Sequence, residues 1–280
     1  MQTVLITGAS TGIGYHAAVS LKAAGYRVFA TARKTQDVTR LIDQGFESVQ
    51  LDLSSTASIT AAVAHITQLT DGKIDVLFNN GAYGQPGAVE DLPTNALRAQ
   101  FETNVFGWHE LTTQIIPLMH ANGRGRIIQN SSVLGLVTMK YRGAYNASKF
   151  ALEGLTDTLR LELLDSPIKV SLIEPGPIVS QFRANALSAL KAKSALKANI
   201  DIKNSIHNAD YQQQISRLGK KDVSSQFTLG PEAVTKALIH AIESKNPKVR
   251  YYVTFPTYLF ALLKRILPFR VLDKILAKSG

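Results

Sequence analysis

The sequence predicts a single α/β domain built as a doubly wound parallel sheet of about seven strands, with helices on both faces. Three observations predict it. Short apolar runs alternate with longer amphipathic stretches at the spacing of βαβ units. Each run is rich in Val, Ile, Leu or Phe along its whole length, as strands buried on both faces are. A glycine-rich turn, TGASTGIG at 7–14, joins the first run to the first amphipathic stretch.

The strands are expected at TVLIT (3–7), RVFATA (27–32), SVQLD (48–52), IDVLFNN (74–80), RIIQNSS (126–132), KVSLIEPG (169–176) and VRYYVTF (249–255). Helices are expected at 12–24, 55–70, 94–121 and 143–165, where apolar positions recur near the 3.6-residue period. A further helix, PEAVTKALIHAIES at 231–244, opens on Pro231. Right-handed crossovers distribute such helices over both faces of the sheet. The main domain is therefore drawn at 1–255. Residues 180–228 interrupt the alternation with a polar stretch and are read as a helical excursion over the site. Residues 256–280 form an apolar, basic, helical tail.

With 45% hydrophobic and 19% charged residues in 280, the chain is neither disordered nor collagen-like. It has no cysteine, which excludes disulfides, thiol nucleophiles and thiolate metal sites, and a reducing cytoplasm is the expected setting. None of the six histidines pairs with another at a metal-ligand spacing, so no metal is expected. The first residues, MQTVLITGAS, lack the basic start of a signal peptide, and no apolar run reaches the roughly 18 residues of a spanning helix. The net charge of +10 is uneven: 14 Lys and Arg face 15 Asp and Glu over residues 1–179, against 17 and 6 over 180–280. That asymmetry reads either as a solvated basic face or as attraction to an anionic partner. Its basic residues are scattered rather than clustered, which argues against nucleic acid. The tail is expected to pack on the body or a second subunit, with peripheral contact to an anionic membrane as the other reading.

Gly8, Gly12 and Gly14 let the backbone turn sharply and approach a pyrophosphate at the N-terminus of the first helix, the physics of a Rossmann-type dinucleotide site. The spacing is not that of a Walker loop, since no Gly-Lys-Ser/Thr follows. An NAD site places Asp or Glu after the second strand to bind the ribose hydroxyls. Here Arg33 and Lys34 stand there, and a guanidinium pairs with a 2′-phosphate, so the expected cofactor is NADP(H).

Tyr145 and Lys149 in YNASK lie one helical turn apart on one face. A free tyrosine, with a pKa of about 10, is a poor acid–base group at neutral pH, and a neighbouring ammonium is expected to lower it. Ser132 ends the fifth strand, where open α/β sheets keep their ligands, and would hydrogen-bond a carbonyl or alcohol oxygen. Leu134, Leu136, Val137, Met139, Tyr141 and Arg142 run between Ser132 and Tyr145, and the apolar character of that segment reads either as the wall of an apolar ligand or as packing under the 180–228 excursion.

With these motifs together the chain resembles the short-chain dehydrogenase/reductase family, in its single-domain branch. Within it the chain is similar to hydroxysteroid and retinol dehydrogenase-like members and to bacterial NADP-dependent aldehyde reductases, which carry the same FTLGPEAV (227–234) and an LKRILP-like tail. The resemblance makes TGASTGIG the cofactor motif, with Ser10, Thr11 and Ile13 among its contacts. It makes Asn104, Ser132, Tyr145 and Lys149 the catalytic set: Asn104 holds a water that connects Lys149 to solvent, and Lys149 also binds the nicotinamide ribose. Asp52 and Leu53 would touch the adenine, Asn80 and Gly81 belong to the strand-four motif, and Pro175, Gly176, Ile178 and Ser180 would hold the nicotinamide end. The family usually reads Asn-Asn-Ala-Gly where this chain has Asn79-Asn80-Gly81-Ala82. The implied activity is NADP(H)-dependent interconversion of an apolar aldehyde or ketone with its alcohol, in a homodimer or homotetramer joined through the helices at 94–121 and 143–165. A non-catalytic NADP(H)-binding sensor or scaffold is the alternative.

Overall fold

The computed structural model describes residues 1–191, 200–219 and 226–278. Seven strands form one sheet, β1 (Thr3–Ile6), β2 (Arg27–Ala32), β3 (Glu47–Gln50), β4 (Val76–Asn79), β5 (Gly125–Asn130), β6 (Ile168–Glu174) and β7 (Arg250–Tyr252). Their order is β3-β2-β1-β4-β5-β6-β7, and every pair is parallel. The chain works outward from β1 to β3, then restarts at β4 on the other side of β1. The C-terminal ends of β1 and β4 therefore bound the crevice where the strand order reverses.

Two apolar layers sandwich this sheet. On one face α1 (Gly12–Ala23) and α9 (Pro231–Glu243) set Ala17, Leu21, Val234 and Leu238 against Val4, Ile6 and Phe78. On the other, α3 (Thr56–Thr70), α5 (Gly107–Ala121) and α6 (Gly143–Glu162) set Ile59, Ile66, Trp108, Ile115 and Leu152 against Leu5, Leu77 and Ile127. Adjacent strand residues such as Val4, Leu5 and Ile6 thus serve opposite faces, which is why the strands read as unbroken apolar runs.

The structure differs from the sequence reading in three elements. A short helix, α2 (Thr35–Asp43), follows β2, unexpected because only Leu41 of its nine residues is buried. The expected helix at 94–121 is α4 (Thr94–Phe101) joined to α5 by a π-helical turn over Glu102–Phe106. One wider turn shifts the apolar face without breaking the helical run, so the pattern still reads as one helix, and such turns are frequent at functional sites. The tail is two helices, α10 (Phe255–Ile266) and α11 (Phe269–Leu276), because Pro268 cannot continue the first. Two helices of the excursion lie within the described residues, α7 (Phe182–Lys191) and α8 (Asn208–Gly219). The rest of that reading at 192–199 and 220–225 lies outside them.

Tail and excursion close over one end of the sheet. Phe260, Leu272 and Leu276 pack with Val133, Leu134, Val137 and Tyr145. The expected packing of the tail on the body is what one face of it does.

Candidate active site

The glycine turn sits at the switch point. Gly8 and Gly12 have φ of +64° and +58°, a left-handed backbone that glycine adopts without penalty. A Cβ on Gly14 would lie 2.4 Å from the Gly8 carbonyl oxygen and 2.6 Å from Asn80 Nδ2, and one on Gly8 would lie 2.6 Å from Gly81 Cα. Thr11 precedes α1 in extended conformation, its side chain makes no cap, and the first turn of α1 carries no acid. The first N–H groups of Gly12, Ile13 and Gly14 are thus left for an incoming anion, favoured by the helix dipole. Across the groove a Cβ on Gly12 would stand 3.2 Å from Ser180 Cβ, so the turns after β1 and β6 form two lips of one crevice. The residues present fit a dinucleotide.

Asn80 serves that turn rather than facing outward. Its Nδ2 donates to the carbonyls of Thr7 (3.1 Å) and Gly8 (3.2 Å), and its Oδ1 accepts from Asn130 Nδ2 (2.9 Å). The N–H groups of Asn80 and Gly81 both donate to Thr7 Oγ1. With glycine at 81 rather than 82, the backbone packs directly on Gly8, and Trp108 Nε1 donates to the Gly81 carbonyl at 2.7 Å. Asp52 is similarly committed: its Oδ1 accepts from Ser54 N and Oγ, shaping the turn into α3, and Leu53 is buried beside Gly81. On the other lip Pro175 accepts from Val133 N at 2.8 Å, Gly176 packs on Thr254, and Ile178 pairs with Leu229.

Arg33 and Lys34 are exposed just past the end of β2. The Arg33 charge reaches Tyr83, whose hydroxyl burial pushes up to about 12 and the guanidinium pulls back. Sequence reading missed a third cation there: Arg40 donates to the Ser10 carbonyl at 2.8 Å while paired with Asp37 at 2.9 Å. Its only signal was its place on a helix that the sequence did not reveal.

The reactive end is assembled from β5 and α6. Ser132 is buried at the end of β5; its Oγ accepts from Leu134 N at 3.1 Å and hydrogen-bonds the Tyr145 hydroxyl. One turn along α6, Lys149 is 1% exposed, donates from Nζ to the Asn130 carbonyl at 2.9 Å, and lies 4.3 Å from the Trp108 ring and 5.7 Å from the Tyr145 ring. Ser132, Tyr145 and Lys149 therefore meet as expected.

Their electrostatics correct the sequence reading. Burial is the largest influence on Tyr145 and pushes its hydroxyl up to about 12, against the Ser132 hydrogen bond and the charge of Arg142, which lower it. The charge that lowers the phenol is that of Arg142. Burial brings Lys149 itself down to about 7, opposed by Glu153, so its charge is only partly kept at neutral pH.

Asn104 lies inside the π-helical turn, fully buried. Its Oδ1 accepts from Tyr83 N (3.2 Å), while Nδ2 donates to Tyr83 O (2.9 Å) and Ser148 Oγ (3.2 Å). It ties the strand-four loop to α6 beside Lys149.

Sequence reading also missed a charged cluster under the lysine. Arg250 on β7 pairs with Glu153, with Glu174 and, at 2.5 Å, with Asp157. Glu174 is fully buried at the end of β6, and burial together with Glu153 pushes it up to about 8, against Arg250. Glu174 therefore keeps its proton toward neutral pH, and its hydrogen bond to Glu153 favours that form. Charged residues in buried strand positions gave no signal because their partner lies some 76 residues away in sequence.

A seven-stranded parallel sheet with a glycine turn at its switch point defines a Rossmann-type, dinucleotide-binding class of protein. The profile of the short chain dehydrogenase family matches residues 2–191. An uncharacterized oxidoreductase, YbbO of Escherichia coli, is 42% identical over 275 residues, covering 98% of this chain and 94% of its own. An NADPH-dependent 3-dehydrocapnine reductase of Ornithobacterium rhinotracheale is 32% identical over 288 residues, covering 100% and 97%. The solved structure of a short-chain dehydrogenase from Streptomyces avermitilis superimposes with a TM-score of 0.76 at 26% identity, covering 98% and 93%. The chain belongs to the short-chain dehydrogenase/reductase family and is an oxidoreductase of that type.

Proposed function

We propose that the protein is an NADP(H)-dependent carbonyl reductase, acting at a CH–OH/C=O pair, that reduces an apolar aldehyde or ketone. The observation that carries this reading is the Ser132–Tyr145 contact at the C-terminal edge of the sheet, with Lys149 buried one turn below. The crevice between Gly12 and Ser180 would hold the dinucleotide, with Arg33 and Lys34 at the 2′-phosphate and Pro175, Gly176 and Ile178 at the carboxamide end. The cofactor supplies the hydride when bound. Ser132 orients the substrate oxygen, and Tyr145 gives that oxygen its proton. A phenol kept protonated by burial is a donor, which favours reduction over oxidation. Lys149 holds the ribose and passes a proton toward the phenol, and Asn104 holds the water through which that proton is replaced. Apolar side chains around Tyr145 (Val133, Leu134, Val137 and Phe260) select an apolar substrate. The NADPH dependence stated for the Ornithobacterium relative supports the cofactor.

NADPH consumption is measured with aldehydes and ketones of graded chain length; turnover with the longer ones supports the reading, and none with any of them overturns it. Arg33→Asp should shift preference from NADPH toward NADH by removing a phosphate partner and adding repulsion. Retained preference for NADPH excludes Arg33 as the discriminator. We further propose a homo-oligomer through the helical segments 94–121 and 143–165, which leave Phe106, Phe150 and Leu155 exposed, and contact of the tail with an anionic membrane.

A further inference from the structure

Beside Tyr145 stands a group of three arginines, more positive charge than easing one phenol in the reduction of a neutral carbonyl requires. Arg142 lies three residues before Tyr145, where the chain forms a parallel bridge with Gly87. On α7, Phe182 sets its ring 5.1 Å from that of Tyr145, and its neighbour Arg183 donates from Nη2 to the carbonyl of Arg217 on α8 at 2.6 Å. All three residues are partly buried. The three guanidiniums repel one another: burial and the charges of Arg217 and Arg183 disfavour the charge on Arg142, and burial and Arg217 disfavour that on Arg183.

No acid pairs with any of them among the described residues. The acids of the same region are engaged elsewhere: Asp210 accepts from Tyr141, Asp91 from Tyr211 and Ser205, and Glu90 pairs with His207. Desolvated cations without counter-charge cost free energy unless an anion completes them. Arginine in particular offers carboxylate, sulfonate or phosphate a planar fork of donors. An apolar cluster of Val133, Leu134, Val137, Phe260, Leu272 and Leu276 packs around the same Tyr145.

We propose that Arg142, Arg183 and Arg217 form a subsite for an anionic group on the substrate, which is therefore an amphiphile with its carbonyl between a charged head and an apolar chain. The proposal rests on the carbonyl-reductase reading and narrows its substrate class. Two of the three arginines come from the excursion, so the anion also draws α7 and α8 over the reacting centre.

The test has two arms. In the first, kcat/KM for NADPH-dependent reduction is compared between a medium-chain β-keto acid and its methyl ester. The wild-type protein should prefer the acid by about tenfold or more, the factor of one well-formed charged contact, and Arg217→Gln or Arg183→Gln should bring that ratio toward one. An ester reduced as well as the acid, or a ratio unmoved in both variants, overturns the subsite. In the second arm, calorimetry follows binding of decanoate, decyl sulfonate, decyl phosphate and decanol. Anions that bind the wild type more tightly than the alcohol, and lose that advantage in the variants, support the subsite even if no carbonyl is reduced, which would overturn only the reductase reading. Reduction of simple aldehydes together with equal binding of anion and alcohol overturns the subsite alone. The ranking among the three anions identifies the head group.

Discussion

At Tyr145 burial and hydrogen bonding pull in opposite directions, and burial wins. A phenol held near 12 stays protonated across the physiological range. Tyr145 itself therefore gives reduction no pH dependence across neutral pH, and a fall in reduction should follow Lys149 as it loses its proton near 7, while oxidation of the alcohol should climb as pH rises; initial rates in both directions from pH 6 to 10 check this. Tyr145→Phe removes the proton donor but not the cofactor groove. Turnover should fall by about 10²–10⁴-fold, with NADPH affinity, read by fluorescence quenching, changed little. A small change in turnover would identify a different donor. Arg142 shows how the same side chain can matter twice, as the charge that eases the phenol and as part of an anion subsite.

The glycine turn and α6 give opposite answers to the same substitution. Gly14→Ala places a methyl 2.4 Å from a carbonyl of the turn, against backbone that cannot yield. It should destabilise by roughly 1–3 kcal/mol and weaken NADPH binding further, since the turn must open to fit it. Gly154 lies exposed inside α6 with nothing within 4 Å of an added Cβ, and Gly154→Ala should stabilise by about 0.5–1 kcal/mol. Thermal melts of the two variants decide both. The tail has two faces. Phe260, Leu272 and Leu276 roof the pocket, while Phe255, Tyr258, Leu259, Leu262 and Ile266 lie exposed near Lys264, Arg265 and Arg270. Removal of residues 256–280 should raise KM for long-chain substrates and abolish flotation with anionic liposomes. Unchanged flotation would remove the membrane contact while leaving the roof intact.

For the molecule as a whole, two buried groups tilt stability with pH in opposite senses. Lys149 is lowered from 10.5 to about 7, so the unfolded chain binds more protons between those values, and stability rises with pH across that window. Glu174 is raised from 4.5 to about 8, so the folded chain binds more protons there, and stability falls as pH rises from 4.5 to 8. The melting temperature without ligand should pass through a minimum between about pH 7 and 8. Lys149→Met should flatten the alkaline rise, and Glu174→Gln the fall on the acid side, each read by scanning calorimetry.

Strand identity, the parallel sheet and the glycine turn were legible because each depends on local pattern: a continuous apolar run, a period, a turn that only glycine permits. Ser132, Tyr145 and Lys149 were legible because their chemistry and spacing lie within one strand end and one helix. The π-helical turn, the Glu153–Glu174–Arg250 cluster and the convergence of Arg142, Arg183 and Arg217 were not, since they join residues far apart in the chain. The sign of the shift at Tyr145 also belongs to the folded state. A sequence displays the lysine one turn away, but the dielectric around both groups, and hence which influence prevails, exists only once the chain has closed over them.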